Sequence, residues 1–384
     1  RAIANNSAVY ANKPSNTEFL EEWLALMKSG TGERGIFNRG SLKTTLPKRR
    51  LERLKKNEKP QWGTNPCGEI ILKPKQFCNL SEVVARANDT EKSLLRKTRL
   101  ATILGTYQSS LTKFSYLSKE WKNNCETERL LGVSVTGQWD SKVVRDPEVL
   151  AKMRKETIRV NRIYAKRFGI PTSTAITAVK PSGNVSQVVD AASGMHARHS
   201  QYYIRRIRIS ATDALFKMLK DQGVPYYPEV GQTYESATTF VLEFPVAAPK
   251  GAIFKDDLNA KDQLEHWKIV KENYTEHNPS ITVSVGDNEW LDTAHWLYKN
   301  WEIIGGLSFL PRNDHVYRLA PYEEINRERY EEMLKSFEGI DFSKIVVYEK
   351  KDETDVKKEM ACVSGVCEID DAMAKEANES VSTS

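Results

Sequence analysis

The sequence predicts an α/β protein, a parallel or mixed sheet covered by helices. Short apolar runs of strand length alternate along the chain with amphipathic stretches of helical period. The composition, 40% apolar and 28% charged over 384 residues, is that of a globular core with a wet surface. No apolar run approaches the ~18 to 20 residues that cross a bilayer, so the apolar residues are expected to serve an internal core, with no membrane partner.

The elements follow in order. Phe19, Leu20, Trp23, Leu24 and Met27 recur at helical spacing over 16–29, and Gly30 offers the stop. A basic stretch, Lys43 to Lys59, reads as a solvated helix face, with a polyanion site as the other reading. Leu95 to Phe114 predict an amphipathic helix over 92–114. Leu130–Gly137 predicts a buried strand, and Asp146-Pro147 an N-cap and first turn for a helix ending near Gly169. Residues 175–179, 238–244, 281–285 and 307–310 predict strands, as does 345–348; 211–220 and 258–273 predict helices. Tyr202-Tyr203-Ile204-Arg205-Arg206 reads as packing with a basic edge. From about residue 349 the composition turns polar, which predicts a flexible tail, 349–384, behind a body of 1–348.

Five cysteines are too few for a disulfide scaffold and suit a reducing, cytoplasmic setting. A net charge of +6 suits anionic small molecules and is too weak to imply a nucleic-acid partner. The chain opens on Arg with no apolar leader, so we expect part of a longer protein.

Three segments carry chemistry. In Asn65-Pro66-Cys67-Gly68-Glu69, the proline and glycine force a turn that can point amide, thiol and carboxylate the same way. That sets a sulfur, a general base and a hydrogen-bonding amide around one small substrate, with Cys78 returning eleven residues later. The same residues also suit a plain turn with two buried structural cysteines. Next, a strand running into Lys180-Pro181-Ser182-Gly183-Asn184-Val185-Ser186 and then a helix is an arrangement that offers backbone N–H groups and two hydroxyls to an anion. Such turns are common, and Lys180 either adds charge or faces solvent. Last, Cys362 and Cys367 in the polar tail can close a small disulfide ring about Gly365. Half of a zinc site is the other reading, but no neighbour completes four ligands, so no metal is expected. A redox shuttle fits better, because tethering gives a high effective concentration.

Residues 64–80 resemble the active-site finger loop of ribonucleotide reductases, whose signature is Asn-x-Cys-x-Glu. The likeness continues through Phe77-Cys78-Asn79-Leu80-Ser81-Glu82-Val83, Arg129–Gly137, Lys180–Ser186 and Glu276-His277-Asn278-Pro279-Ser280. With the tail it spans about 16 to 367. The resemblance implies the C-terminal half of a ten-stranded α/β barrel with a central cysteine-bearing loop. It implies reduction of ribonucleotides, with triphosphates the expected substrates, to 2′-deoxyribonucleotides. Cys67 would become the thiyl radical, Glu69 the base for the 3′-hydroxyl, Asn65 the amide that orients the sugar, and Cys78 half of the reducing dithiol. Its partner lies on an early strand, and no cysteine precedes Cys67 here. Ser182 to Ser186 would bind substrate phosphate, and Cys362 and Cys367 would pass electrons from thioredoxin or a similar dithiol. A dNTP effector would act through the missing N-terminal part.

Within the family, a late Tyr-Tyr radical relay is absent at Gly306–Pro311, as are a glycyl-radical loop and its cysteine-rich zinc site. The resemblance therefore points to the adenosylcobalamin-dependent (class II) monomeric triphosphate reductases, with adenosylcobalamin as cofactor. The large subunit of an iron-dependent (class I) reductase is the alternative. A basic nucleic-acid-binding module using Arg49, Arg50 and Arg53 is the remote one.

Overall fold

The computed structural model describes residues 7–30, 32, 34–54, 61–183, 185–312 and 319–349. Its contacts divide the chain into two compact units. One holds Asn5–Ala197 and Lys255–Asn313; the other holds Arg198–Phe254 with the described part of 314–384. The described part of the body expected over 1–348 falls in these two compact units, and the tail expected over 349–384 lies outside the described residues except for Glu349.

The larger unit opens with β1 (Ala8–Tyr10), α1 (Asn16–Ser29), β2 (Gly35–Asn38), α2 (Leu42–Thr45) and α3 (Lys48–Leu51). A two-stranded hairpin follows, β3 (Gly63–Thr64) and β4 (Ile71–Leu72), then β5 (Asn79–Val84). Next come α4 (Glu91–Gln108), α5 (Lys119–Glu128), β6 (Leu131–Thr136), α6 (Pro147–Phe168) and the single turn α7 (Val185–Val188). The smaller unit takes β7 (Tyr202–Ser210), α8 (Ala214–Asp221), β8 (Tyr226–Pro228) and β9 (Thr239–Ala247). The larger unit resumes with α9 (Ala260–Asn273), β10 (Thr282–Val285), α10 (Trp290–Lys299) and β11 (Gly306–Pro311). The smaller one closes with β12 (Tyr322–Glu324), α11 (Arg327–Leu334) and α12 (Ile345–Tyr348).

In the larger unit β5 pairs with β6 in parallel, and parallel bridges Val133–Thr177 and Val179–Pro279 carry the series through 175–179 to the segment entering β10. β10 pairs with β11 in parallel, β11 with β2 antiparallel, and β2 with β1 in parallel. The run of parallel strands from β5 to β11 is therefore met by a pair running the other way. β6 is buried along its whole length, as expected of a strand covered on both faces. The core gathers Trp23, Trp267, Trp301 and Phe309 between strands and helices.

Local signals explain the helices. Ser15 and Glu18 form a capping box for α1, and Gly30 takes the left-handed conformation that ends it. Asp146 accepts the Glu148 N–H at 2.8 Å with Pro147 in the first turn of α6, which stops at Gly169. A cap of this kind contributes about 1 kcal/mol. The helix expected over 92–114 ends at Gln108, because the hydroxyls of Ser109 and Ser110 bond back to Thr106 and Tyr107.

Three expectations are corrected. Residues 345–348 are helical, entered from an Asp341-capped turn, and not a strand. Tyr202–Arg206 lies inside β7, paired on both sides with β9 and β12, so Arg206 is buried on Glu243 and Glu323 and forms no basic edge. Nor is Lys43–Lys59 simply a solvated face: Arg50 is wholly buried and Arg49 is ion-paired, while residues 55–60 lie outside the described part.

His266 is buried against Trp139, with its Nε2 2.8 Å from Gln138 Oε1. Burial, then the charge of Arg145, pushes its pKa from 6.5 down to about 4. The unfolded chain takes up this proton first as pH falls, so stability is full above 6.5 and declines towards 4. Thermal melts across that window should show the decline, and His266→Gln should flatten it; an unchanged slope counts against this assignment.

Candidate active site

The cysteine loop is the tip of the β3–β4 hairpin, held in register by Gly63 opposite Leu72 and Thr64 opposite Ile71. Asn65 closes the tip. Its carboxamide oxygen accepts the Ile70 N–H at 2.9 Å, and its carbonyl accepts the Gly68 N–H at 2.9 Å. Gly68 sits at φ +78°, a conformation that favours glycine. One end of the Asn65 amide is thus committed to the loop, and its NH2 has no partner among the described residues.

Fixing a loop costs about 1–2 kcal/mol per residue, more than Asn65 alone offsets. The rest comes from Glu276–Ser280, which enters β10. The Asn278 backbone N–H donates to the Glu69 carbonyl at 3.0 Å, and its side chain donates to Gly68 and Gly306 carbonyls, each at 3.0 Å. The Ser280 hydroxyl donates to the Cys67 carbonyl. His277 accepts the Ile71 N–H at Nδ1, 3.3 Å, and its Nε2 donates to the Leu131 carbonyl at 3.0 Å. That pattern needs a neutral ring, and burial, followed by the charge of Arg50, holds its pKa well below 6.5. Glu276 in turn is gripped by Arg49 and by the Ile176 N–H. Arg50 donates to the Ile71 carbonyl at 2.9 Å and pairs with Glu128 at 3.0 Å, out of water. Breaking such a buried pair typically costs about 3–5 kcal/mol.

The reactive side chains converge at the tip. Glu69 is wholly buried; Lys180 Nζ lies 3.4 Å from its Oε1 and 3.4 Å from Cys67 Sγ. Burial pulls the Lys180 pKa down, but Glu69 and Cys67 outweigh it and the net shift is upward. The second oxygen of Glu69 has no partner among the described residues, so it can accept a proton from a ligand. Cys78 shares this surrounding: burial pushes its thiol up and Glu69's charge adds to that, while Arg50 and Lys180 oppose. Gly132 on β6 lies beside it and makes room for the apolar packing of the loop, since a Cβ there would stand 2.5 Å from Leu80 and 2.9 Å from Ile70, with the Cys78 sulfur at 3.4 Å. Cys125, on α5, is buried, with a hydrogen bond from the Phe77 backbone, and it is near enough for its charge to bear on Cys78. Beside the loop, Cys67, Asn65, Gly68, Ser280 and Gly306 line part of a cavity of about 280 Å³.

The expected phosphate loop lies two residues beyond Lys180. Its backbone runs into α7, but the hydroxyls of Ser182 and Ser186 turn inward. Ser182 Oγ accepts the Ser186 N–H at 3.0 Å and donates to Glu82 at 3.2 Å, and the Ser186 hydroxyl donates to the Ser182 carbonyl. Any anion would therefore meet backbone N–H groups of Gly183 and Val185 and not these hydroxyls; Asn184 lies outside the described residues, as do Cys362 and Cys367. Glu82 is the neighbour that sequence reasoning missed: burial raises its pKa, against hydrogen bonds from Ser182 and Thr136. Only its place in Asn79–Val83 signalled it. Lys180, left open between charge and solvent, faces the thiol.

Known proteins resemble the chain as a whole in sequence and in fold. No family model matches the chain. It is 26% identical over 342 residues to the adenosylcobalamin-dependent ribonucleoside-triphosphate reductase of Lactobacillus helveticus, covering 80% of this chain and 45% of that one. It is 28% identical over 298 residues to a Dictyostelium discoideum protein named as a probable reductase of the same kind, covering 74% and 38%. The solved structure of a B-12 dependent (class II) ribonucleotide reductase matches with a TM-score of 0.69 at 20% identity, over 91% of this chain and 51% of that one. The chain thus spans about two fifths of the length of these curated relatives and about half of the solved chain. Over most of its length it is similar to adenosylcobalamin-dependent ribonucleoside-triphosphate reductases, and it shares the α/β barrel fold of the class II enzyme.

Proposed function

We propose that this chain is the catalytic portion of an adenosylcobalamin-dependent reductase that converts ribonucleoside triphosphates to 2′-deoxyribonucleotides. The observation that carries this reading is the meeting of Cys67, Glu69 and Lys180 at the tip of a loop clamped from Glu276 to Ser280. Cys67, as a thiyl radical, takes the hydrogen of C3′ and returns it at the end of turnover. Glu69, through its unpartnered oxygen, takes the 3′-hydroxyl proton while water leaves from C2′. The NH2 of Asn65 orients the sugar. Cys78 supplies one of the two thiols that become a disulfide, its partner lying outside this chain, which spans about two fifths of its relatives' length. Burial keeps Cys78 protonated until it is needed.

The chemistry that adenosylcobalamin supplies when bound is homolysis, a source of the unpaired electron. The cavity beside Cys67 fits a nucleoside-sized group such as its adenosyl end, and Asn65, Gly68 and Gly306 would border it. The 181–186 loop receives phosphate through its backbone. The tail pair Cys362 and Cys367 carries electrons from thioredoxin or a similar dithiol, and a dNTP effector acts through a part of the enzyme outside this chain. The setting is cytoplasmic; among the described residues no helix is long and apolar enough to cross a membrane.

Three outcomes are expected in the complete enzyme. Cys67→Ser should abolish both turnover and solvent hydrogen exchange at C3′; exchange that persists would remove Cys67 from the radical role. Lys180→Met leaves Glu69 buried without its cation, so the acidic limb of the pH–rate profile should move to higher pH, with Lys180→Arg restoring most of it. An unmoved limb means Lys180 is mere packing. Cys362→Ser should spare turnover with a small dithiol and lose it with thioredoxin, and equal loss with both would sink the shuttle.

A further inference from the structure

We propose that Arg39 anchors a nucleoside in the cavity beside Cys67, its guanidinium donating to an acceptor edge of base or sugar. The inference rests on the function proposed above and gives that cavity a ligand class. Arg39 follows β2 and, among the described residues, is the one formally charged side chain on the cavity wall. Its Nε is buried without an acceptor, and its guanidinium makes no hydrogen bond or ion pair with any described residue. Its neighbours in the chain are otherwise treated: Arg34 pairs with Glu22, Arg49 with Glu276 and Arg50 with Glu128. Arg39 as a whole is partly exposed, but its Nε–H is drawn from water and left unmatched; that is costly, and a bound acceptor removes the cost.

The mount is rigid. Asn38, just before it, donates to the Trp301 carbonyl at 2.8 Å and accepts the Ser41 N–H at 3.2 Å. Gly40, just after it, passes so close to the Ala11 carbonyl that a Cβ would stand 2.3 Å from its oxygen. Arg39 is thus held in place by backbone that has no freedom to withdraw it, which is what a recognition residue requires.

The remaining walls choose the ligand. Val9, Phe37 and Leu307 offer an apolar face, and Thr64, Ser280 and Ser308 offer hydroxyls. About 280 Å³ falls just below the ~300–1,000 Å³ usual for drug-sized ligands. One guanidinium between apolar and hydroxyl walls suits a flat base on a sugar; a triphosphate would call for several cations. Two nucleosides enter the proposed reaction, that of the substrate and the adenosyl group, and the same donor serves either.

The test uses the complete enzyme, with 5′-deoxyadenosine and cytidine triphosphate as probes in calorimetric titrations. Arg39→Ala should weaken one probe about tenfold or more, and Arg39→Lys, which keeps charge without the fork, should fall between. Loss confined to 5′-deoxyadenosine assigns the cavity to the adenosyl group; loss confined to the triphosphate assigns it to substrate. Bound probe should also slow iodoacetamide labelling of Cys67, read by peptide mass spectrometry, in the parent and not in Arg39→Ala. Arg39→Gln, with melting curves for all variants, guards against loss of fold. Equal affinities in parent and Arg39→Ala, or no binding of either probe by the parent, overturns the inference. Cys67→Ser should still bind the probe, so a failed radical role and a failed nucleoside site give different results.

Discussion

The site depends on how a six-residue loop is held against the sheet with its tip exposed to a cavity. A hairpin of two residues per strand cannot do this alone. The Glu276–Ser280 segment does, by matching its own donors to the carbonyls of Cys67, Gly68 and Glu69. Because the segment is also the entry to β10, the loop's position is tied to the sheet. Pro279 bridges to Val179, and its carbonyl accepts the Trp267 indole N–H at 2.7 Å. Strand order, aromatic core and loop geometry are therefore one connected fact.

Electrostatics follow from that placement. A carboxylate with no access to water would ordinarily be neutralised or excluded. Here Lys180 supplies the counter-charge to one oxygen, and the other is left to a ligand. The same cation reaches the sulfur of Cys67, so carboxylate, thiol and the start of the 181–186 loop are coupled through one side chain. A ligand carrying negative charge towards that loop would compete for Lys180 and change the surroundings of both Cys67 and Glu69.

Much of this could be read from residues alone. The capped helices at Ser15 and Asp146 and the strand at Leu131–Thr136 announce themselves through local chemistry, which acts within a few residues. The turn at Pro66-Cys67-Gly68 is legible for the same reason. What sequence concealed was the destination of long polar side chains. Arg49, Arg50 and Arg206 look like solvent-facing basic residues, and their burial depends on Glu276, Glu128 and Glu243, which lie tens to hundreds of positions away. The hydroxyls of Ser182 and Ser186 suggested donors to an anion, and only the fold shows Glu82 and the Ser182 carbonyl taking them. Residues 345–348 mislead because a short apolar β-branched run carries no period, and in the fold it finds no strand to pair with.

The buried imidazole at position 277 has a further meaning. Because it stays uncharged well into acid, the ring keeps one donor for the Leu131 carbonyl and one acceptor for the Ile71 N–H from neutral to alkaline pH. The cation behind it behaves differently: Lys271, buried, donates to the His277 carbonyl at 3.0 Å, and burial, then the charge of Arg154, pulls its pKa from 10.5 down to about 8. The mounting thus carries an ionisable group of its own, and a pH profile taken at this centre near 8 sums that group with the side chains at the loop tip.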